Sequence, residues 1–300
     1  MRYLKGKDIL LTDTAVTLGK FDGFHLGHRE LFDDVIKAEG LTSVVFTFDL
    51  NPHNLFSERE IKLIDTNDER SLLLSSTGLD YLIDYPFTKE TADTEPEAFV
   101  RNVLAGQLGV KHIAVGRDFT FGKGGRGNVE LLSKLSSKYG FTLKVYDKLC
   151  ADGGVISSTR IRECIERGEM EEAARLLGRP YWITGEIIHG NAIGRTVGMP
   201  TINQRPDDTK LLPPFGVYVS DTLIDGKLYR GITNIGLKPT VGTETRPGVE
   251  TWLFDFDRDV YGEFAIVNIL SFVRHEKKFN SVDEVKTQVM KDAEKARAWH

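Results

Sequence analysis

The sequence predicts a parallel α/β domain followed by a small antiparallel β-barrel and a closing helix. Its 300 residues are too many for one typical hydrophobic core. In the first half, apolar β-branched segments alternate with amphipathic helical segments, which favours a parallel sheet covered on both faces. From Tyr181 onward, short alternating segments separated by glycine, proline and aspartate turns are typical of a barrel. Because Gly178, Arg179 and Pro180 break the helical pattern, we expect two domains, residues 1–178 and 179–300.

The individual elements follow from residue spacing. Strands are expected at residues 14–18, 42–48, 111–115 and 143–146, and helices at residues 29–38, 97–108, 128–138 and 170–177. A further helix is expected to open within residues 156–162 and to run through residue 167, and the barrel is expected to end at about residue 272. The last helix is predicted to begin near Ser281, where Glu284 completes a capping box and Val282, Val285 and Val289 form an apolar stripe.

Composition narrows the classes of function. A net charge of −5 and a pI near 5.9 argue against a broad surface for nucleic acid or anionic membrane, so we expect small-molecule substrates. Cys150 and Cys164 have no paired spacing, which favours a reducing compartment and a cytoplasmic location. Charged residues within the first ten positions argue against a signal peptide, and no apolar run approaches membrane-spanning length.

The segment that follows the first predicted strand carries the strongest chemical signal. It contains Gly19, Phe21, Gly27 and two histidines three positions apart, His25 and His28, and it leads into a helix. The free N–H groups and the dipole at a helix N-terminus favour an anion, and a glycine permits close approach. Histidines at such a site suit nucleotidyl transfer, because they donate hydrogen bonds to phosphoryl oxygens as pyrophosphate leaves. The alternative is a loop with two solvated histidines.

Two further loops carry candidate ligand contacts, and the one after Gly116 is expected to face the same crevice as the loop after Gly19, because both follow strands directly. Residues 116–122 place Asp118 and Phe121 between glycines, where a carboxylate and an aromatic face would be available to a ligand, although such phenylalanines often cover a core instead. Residues 157–162 hold three hydroxyl side chains together with Arg160 and Arg162, more than a helix cap needs. The arginines are candidates to bind the β- and γ-phosphates of a departing pyrophosphate.

The barrel has a candidate site of its own. Thr201 and Asn203 alternate on one strand, and their oxygens suit Mg²⁺ together with phosphate, although a polar strand edge would look the same. Glu250 shares a predicted strand face with Trp252 and Phe254, which makes it a candidate general base for a hydroxyl group. The alternative is a glutamate at the solvated end of the strand.

Several of these motifs occur together in the order of one known family. They are residues 25–28, 116–122 and 157–162, Gly194 and Arg195 with residues 200–203, residues 214–218 and 234–241, Tyr261 with Gly262, and Arg274 with Phe279. Over nearly its full length the chain resembles the bifunctional bacterial riboflavin kinase and FMN adenylyltransferase, or FAD synthetase, family. The resemblance implies a Rossmann-like nucleotidyltransferase domain joined to a six-stranded flavokinase barrel.

The same resemblance implies two reactions. The barrel would phosphorylate the ribityl 5′-hydroxyl of riboflavin from MgATP to give FMN, and the first domain would transfer AMP from a second ATP to FMN, giving FAD and pyrophosphate. The family's pattern assigns roles to residues at matching positions of this sequence. ATP or its phosphates would be bound by Gly19, Phe21, Gly27, Ser158, Thr159, Arg162, Gly194 and Arg195. Catalysis would use His25, His28 and Glu250, and the flavin would contact Asp118, Phe121 and Arg274. Mg²⁺ would be held by Thr201 and Asn203.

The sequence departs from the family pattern at some positions, and two other functions stay open. Residues 51–54 read Asn-Pro-His-Asn where the family often has Pro-His-Pro, and Ile202, Gln204 and Trp252 are also atypical. One alternative keeps only the adenylyltransferase, with the barrel as a flavin-binding regulatory module. The other is a tRNA-handling protein with a synthetase-like histidine signature, which the acidic pI opposes. We expect a monomer or a weak homo-oligomer.

Overall fold

The computed structural model describes residues 1–57, 60–190, 199–239 and 245–300. Within these ranges the chain forms two compact units, Met1–Ser158 and Thr159–His300. The predicted site residues Gly194 and Arg195 lie outside the described residues. No helix in the described part of the chain is both long and apolar enough to cross a membrane.

A six-stranded parallel sheet forms the centre of the first unit. Its strands are β1 (Arg2–Lys5), β2 (Thr14–Leu18), β3 (Thr42–Phe48), β4 (Tyr81–Tyr85), β5 (Val110–Gly116) and β6 (Thr142–Tyr146). Their spatial order is β1-β4-β3-β2-β5-β6. After β2 the chain adds β3 and β4 on one side and then β5 and β6 on the other, while β1 pairs with β4 at the edge. In such sheets ligands bind beyond the carboxyl ends of the strands at this reversal, which here lies between β2 and β5.

Helices cover both faces of this sheet, as the alternation of elements predicted. They are α1 (Leu26–Ile36), α2 (Asn67–Ser75), α3 (Lys89–Ala92), α4 (Pro96–Phe99), which continues as a π-helical stretch (Val100–Gln107), and α5 (Val129–Tyr139). Apolar side chains of α1 and α2, such as Phe32 and Leu74, pack on one face with Val45, while Leu104 and Leu132 pack on the other. The unit also contains a short hairpin, β7 (Cys150–Ala151) and β8 (Gly154–Val155).

The predicted helix at residues 97–108 differs in its internal geometry. Its second part is widened, with the N–H of Leu108 donating to the carbonyl of Val103 at 2.9 Å. Gly106 permits this winding, because a Cβ there would lie 3.1 Å from the carbonyl oxygen of Arg101, five residues earlier. The predicted helix at residues 97–108 is therefore confirmed, with π-helical winding over its second part.

The second unit contains the predicted antiparallel sheet, also of six strands. They are β9 (Tyr181–Glu186), β10 (Thr201–Gln204), β11 (Gly216–Ile224), β12 (Lys227–Pro239), β13 (Thr245–Leu253) and β14 (Phe264–His275), in the order β10-β13-β12-β11-β14-β9. The two edges of the sheet meet: the N–H of Ile188 donates to the carbonyl of Asn203, and the amide of Gln204 donates to the carbonyl of Gly185, both at 2.8 Å. The sheet thus curls into a barrel and leaves few exposed edge groups.

Alternation along the barrel strands separates an interior from an outer face. Inward positions include Ser220, Thr233 and Thr251, whose buried hydroxyls form a hydrogen-bonded row across three strands at 2.8 Å spacings. Outward positions such as Ile232 and Trp252 pack toward the C-terminal helix. This outer face, not the barrel interior, carries the polar side chains discussed below.

In the described residues after position 157, the helices are α6 (Ser158–Arg167), α7 (Met170–Leu177) and α8 (Val282–Ala298). Helix α7 packs on β9 and β14, and α8 packs on β11 and β12. Two details predicted for α8 were wrong. Val282 is 57 % exposed, so the packed side begins at Val285. The hydroxyl of Ser281 accepts from the N–H of Glu284, but the Glu284 carboxylate accepts from Asn280 instead of closing a capping box.

Candidate active sites

The loop between β2 and α1 is held by two phenylalanines in an unusual backbone conformation. Phe21 and Phe24 have φ values of +46° and +36°, a region costly for bulky side chains, and both rings are buried against Phe32 of α1 at centroid distances of 5.1 Å. A Cβ at Gly19 would lie 2.8 Å from the Phe21 ring. Gly19 therefore makes room for this ring, and the side chain of Phe21 anchors the loop.

The two histidines of this loop are stacked on each other. His25 occupies the N-cap position of α1 and makes no side-chain capping bond, and His28 lies in the first turn. Their ring centroids are 3.6 Å apart with planes 19° from parallel. A Cβ at Gly27 would approach the His25 ring to 3.1 Å, so Gly27 allows the imidazole to lie over the helix start. The ring of Phe21 contacts His28 edge-on at 5.2 Å and fixes the orientation of the pair.

Burial keeps both imidazoles neutral near physiological pH. Desolvation lowers the pKa of His25 to about 4. Desolvation also lowers the pKa of His28 well below its usual value, and the neighbouring His25 adds to this effect. The Nδ1 atoms of both rings are buried without a hydrogen-bond partner. A phosphoryl group at the helix N-terminus would supply both the hydrogen-bond partner and the negative charge that this pair lacks.

The predicted phosphate segment begins beside this loop. The hydroxyl of Ser158 donates to the carbonyl of Asp22 at 2.7 Å, and a carboxylate oxygen of Asp22 accepts from the N–H of Ile64. Thr159 and Arg162 follow on α6, in the second compact unit. Arg160, a candidate for the pyrophosphate, forms an ion pair with Glu172 of α7 at 2.8 Å.

The two flavin candidates after β5 have different environments. Asp118 is exposed and pairs with Lys148 at 2.8 Å. Phe121 is 8 % exposed, lies in the hydrophobic core, and stacks on Phe119 at 5.6 Å. A Cβ at Gly127 would be 2.8 Å from the Phe121 ring. Phe121 thus packs in the core, as the alternative interpretation of this loop expected, and its contact with a flavin stays a prediction.

A buried arginine next to the loop between β2 and α1 was not predicted from the sequence. Arg70 of α2 is 4 % exposed and donates to the carbonyl of Lys20 at 3.3 Å and to the hydroxyl of Thr47 at 3.1 Å. Its guanidinium lies 3.6 Å from Asp84, which also accepts from Tyr3. The available signal was the Thr66 to Glu69 capping box, which marks the start of α2 and does form.

The second candidate site is a cavity of about 590 Å³ on the outer face of the barrel, a volume in the usual range for small-molecule sites. Its lining includes Thr201, Asn203, Glu250 and Trp252, together with Val289 of α8. In the register of β10 and β13, Thr201 lies opposite Trp252 and Asn203 opposite Glu250. The structure therefore brings the two predicted metal ligands and the predicted base to one place.

The Glu250 carboxylate is held at both oxygens. The hydroxyl of Thr201 donates to Oε1 at 2.9 Å, and the ammonium of Lys238 donates to Oε2 at 2.9 Å. Asn203 is approached closely by Gly190, where a Cβ would clash with the amide at 2.4 Å. No group of three or more His, Cys, Asp or Glu side chains that could hold a metal occurs in the described ranges. The hydroxyl and amide oxygens of Thr201 and Asn203 nevertheless suit Mg²⁺ that also binds phosphates.

Arg274, the third flavin candidate, lines the same cavity. Its Nε donates to Asp292 at 2.8 Å, and Asp292 is fully buried on α8. Gln288 donates to the other oxygen of Asp292 at 2.9 Å. The guanidinium lies 5.8 Å from the Phe279 ring centroid. Arg274 is thus fixed between the barrel and α8.

Comparison with known proteins identifies the family of each half of the chain. A family model described as FAD synthetase matches residues 8–160, and one described as riboflavin kinase matches residues 177–300. The chain is 35 % identical over 290 residues to a bifunctional riboflavin kinase/FMN adenylyltransferase of Listeria monocytogenes, covering 95 % of this chain and 92 % of that one. It is 36 % identical over 291 residues to the protein of the same name from Bacillus subtilis, covering 94 % and 91 %.

A solved structure shares the whole architecture. A Streptococcus pneumoniae protein described as a macrolide-efflux protein superposes with a TM-score of 0.87 and 33 % identity, covering 99 % of both chains. The matches to both family models and to full-length relatives show that the chain belongs to the bifunctional riboflavin kinase/FMN adenylyltransferase family.

Proposed function

We propose that the two activities of this family, riboflavin phosphorylation and adenylyl transfer to FMN, take place at separate sites of this chain. The observation that carries the proposal is the presence of two built sites, one in each compact unit: the stacked pair His25 and His28, and the cluster of Thr201, Asn203 and Glu250. We place the boundary of the catalytic domains at residue 178, and the family matches to residues 8–160 and 177–300 support this division.

At the barrel site, the ribityl 5′-hydroxyl of riboflavin lies next to Glu250, which accepts its proton as the oxygen attacks the γ-phosphorus of ATP. The bond from the γ-phosphorus to the bridging oxygen breaks, and ADP leaves. Thr201 and Asn203 would hold Mg²⁺. When bound, this ion neutralises charge on the phosphates. Arg274 contacts the flavin, and its fixed position between β14 and α8 supports this role. The roles of Gly194 and Arg195 at the ATP phosphates rest on the family resemblance alone.

At the first site, a phosphate oxygen of FMN attacks the α-phosphorus of ATP, and pyrophosphate leaves. His25 and His28 donate hydrogen bonds to phosphoryl oxygens, and the burial of their Nδ1 atoms makes each bond stronger than it would be in water. We retain Ser158, Thr159 and Arg162 as expected ligands of the remaining phosphates on the family resemblance alone. Because this chemistry depends mainly on positioning and charge, no covalent intermediate with histidine is needed.

The other residues expected at this site contribute in different ways. Gly19 and Gly27 act by making room for the Phe21 and His25 rings, and this leaves the backbone of the loop to face the nucleotide. We retain Asp118 as a flavin contact because its carboxylate is exposed. Phe121 supports the loop from the core.

The riboflavin kinase match over residues 177–300 opposes a purely regulatory barrel, and the FAD synthetase match opposes a tRNA-handling protein.

We further propose a cytoplasmic location, because both cysteines are free and Cys150 is exposed, as expected in a reducing compartment. A monomer or weak homo-oligomer remains a prediction.

Product analysis tests the function directly. The purified chain is incubated with riboflavin, ATP and Mg²⁺, and the flavins are separated by chromatography over time. FMN should appear first and FAD should follow. If FAD forms only when FMN is supplied, the kinase half of the proposal is wrong.

A further inference from the structure

We propose that Lys238 is a positioning residue for riboflavin phosphorylation, which holds the carboxylate of Glu250 in the orientation that accepts the flavin hydroxyl. The inference rests on the proposed role of Glu250 as the base. Neither the residue spacing nor the family pattern assigned a role to Lys238.

The carboxylate lies between two neighbouring strands that each supply one donor. Glu250 is on β13, which is flanked by β10 and β12. From β10, Thr201 donates to Oε1, and from β12, Lys238 donates to Oε2, both at 2.9 Å. A carboxylate that accepts a hydrogen bond at each oxygen, from strands on opposite sides, has little freedom to rotate about its side-chain bonds.

The path of the lysine side chain is also built into the sheet. Asn234, not Lys238, lies opposite Glu250 in the strand register, so the lysine must run back along the sheet to reach it. It does so across Gly248, where a Cβ would lie 2.6 Å from Cγ of Lys238. A larger residue at position 248 would block this path. The position of the Lys238 side chain therefore depends on the absence of a side chain at Gly248.

The environment makes this ion pair stronger than a typical surface pair. The side chains of Lys238 and Glu250 are 32 % and 28 % exposed, and both line the cavity. Partial burial reduces screening by water, and packing of the lysine stem reduces the entropy lost when the ammonium is fixed.

The arrangement remains compatible with a base. Each carboxylate oxygen offers about two acceptor positions, so one donor on each leaves room for the flavin hydroxyl. Phosphoryl transfer depends on the alignment of nucleophile and phosphorus, and small misplacements cost large factors in rate. The ammonium also offsets repulsion between Glu250 and the triphosphate.

The test compares Lys238→Met and Lys238→Arg with the full-length wild type. Riboflavin kinase kinetics are measured, and FAD formation from supplied FMN serves as an internal control in the same polypeptide. We expect Lys238→Met to lower kcat about 10- to 100-fold, with KM for riboflavin within about threefold. Lys238→Arg should recover most of the loss, because it keeps the donor. Lys227→Met, an exposed lysine on the same strand, is the matched control and should stay within about twofold of wild type.

A second comparison separates positioning from a general effect on the fold. In a Glu250→Gln background, Lys238→Met should lower kcat by less than about twofold, because there is no carboxylate to position. An equal loss in both backgrounds, or an unchanged kcat in the single variant, would overturn the proposal. Tryptophan fluorescence monitors folding of this unit, since all three tryptophans lie within it, and Lys238→Gln replaces the Met variant if that one unfolds. If Glu250→Gln alone retains wild-type kcat, the role of the base is wrong instead.

Discussion

The buried histidine pair predicts a specific loss of stability at acidic pH. His25 is 5 % exposed, and its pKa is lowered from 6.5 to about 4 in the folded protein. Between these two pH values, the imidazole of residue 25 is protonated in the unfolded chain and neutral in the folded protein. The contribution of His25 to the free energy of unfolding is therefore fully present above about pH 6.5 and is lost as the pH falls toward about 4. At about 1.4 kcal/mol per pH unit, His25 accounts for a loss of about 3 kcal/mol.

Comparison with His25→Gln tests this contribution, because glutamine does not titrate. The variant also lacks the effect of His25 on the pKa of His28, which acts in the same direction. We expect the difference in unfolding free energy between wild type and variant to change by about 3 kcal/mol from about pH 7.5 to about pH 4, with wild type losing more. Unfolding in urea is followed by hydrogen exchange of peptides covering residues 14–36, because tryptophan fluorescence reports only on the other unit.

A constant difference, within about 0.5 kcal/mol across this pH range, would refute the reasoning. It would mean that His25 is protonated in the folded state or is open to water. In either case the neutral, desolvated imidazole pair on which the proposed adenylyl-transfer site rests would be incorrect.

Three further predictions concern single side chains. His28→Asn should lower FAD formation from FMN about 10²- to 10³-fold and leave FMN formation unchanged, measured in separate assays, and a parallel loss of both would contradict separate sites. Asn203→Leu should have the opposite effect, with riboflavin phosphorylation lost and FAD formation from supplied FMN intact; normal phosphorylation in this variant would argue against the metal site. Arg70→Met should destabilise the first unit by about 3–5 kcal/mol, because it leaves Asp84 buried without its cation, and a change below about 1 kcal/mol in urea unfolding would contradict this.

Local patterns predicted much of the fold. The strands at residues 14–18 and 42–48 and the helix at residues 170–177 have the predicted bounds, because continuous β-branched runs and a regular apolar spacing define them. The sequence did not reveal β1 and β4. These strands are short and pair only with each other and with β3, so their stability depends on partners far away in the chain.

The candidate sites could be located from the sequence, but their contacts could not. Residue order indicated that His25 and His28 lie at a helix start, whereas their stacking depends on the buried ring of Phe21 in a left-handed backbone conformation. Strand alternation indicated the face of Glu250. Its ion pair with Lys238 depends on a register in which the two residues are not opposite each other.

The central claim is that one chain carries two independent sites. Mixing two single-site variants tests this claim most directly. His28→Asn alone and Asn203→Leu alone should each fail to convert riboflavin to FAD. Combined with ATP and Mg²⁺, the first should supply FMN and the second should adenylylate it, so FAD should form. If the mixture forms no more FAD than either variant alone while supplied FMN is still converted by Asn203→Leu, the claim of two independent sites is contradicted.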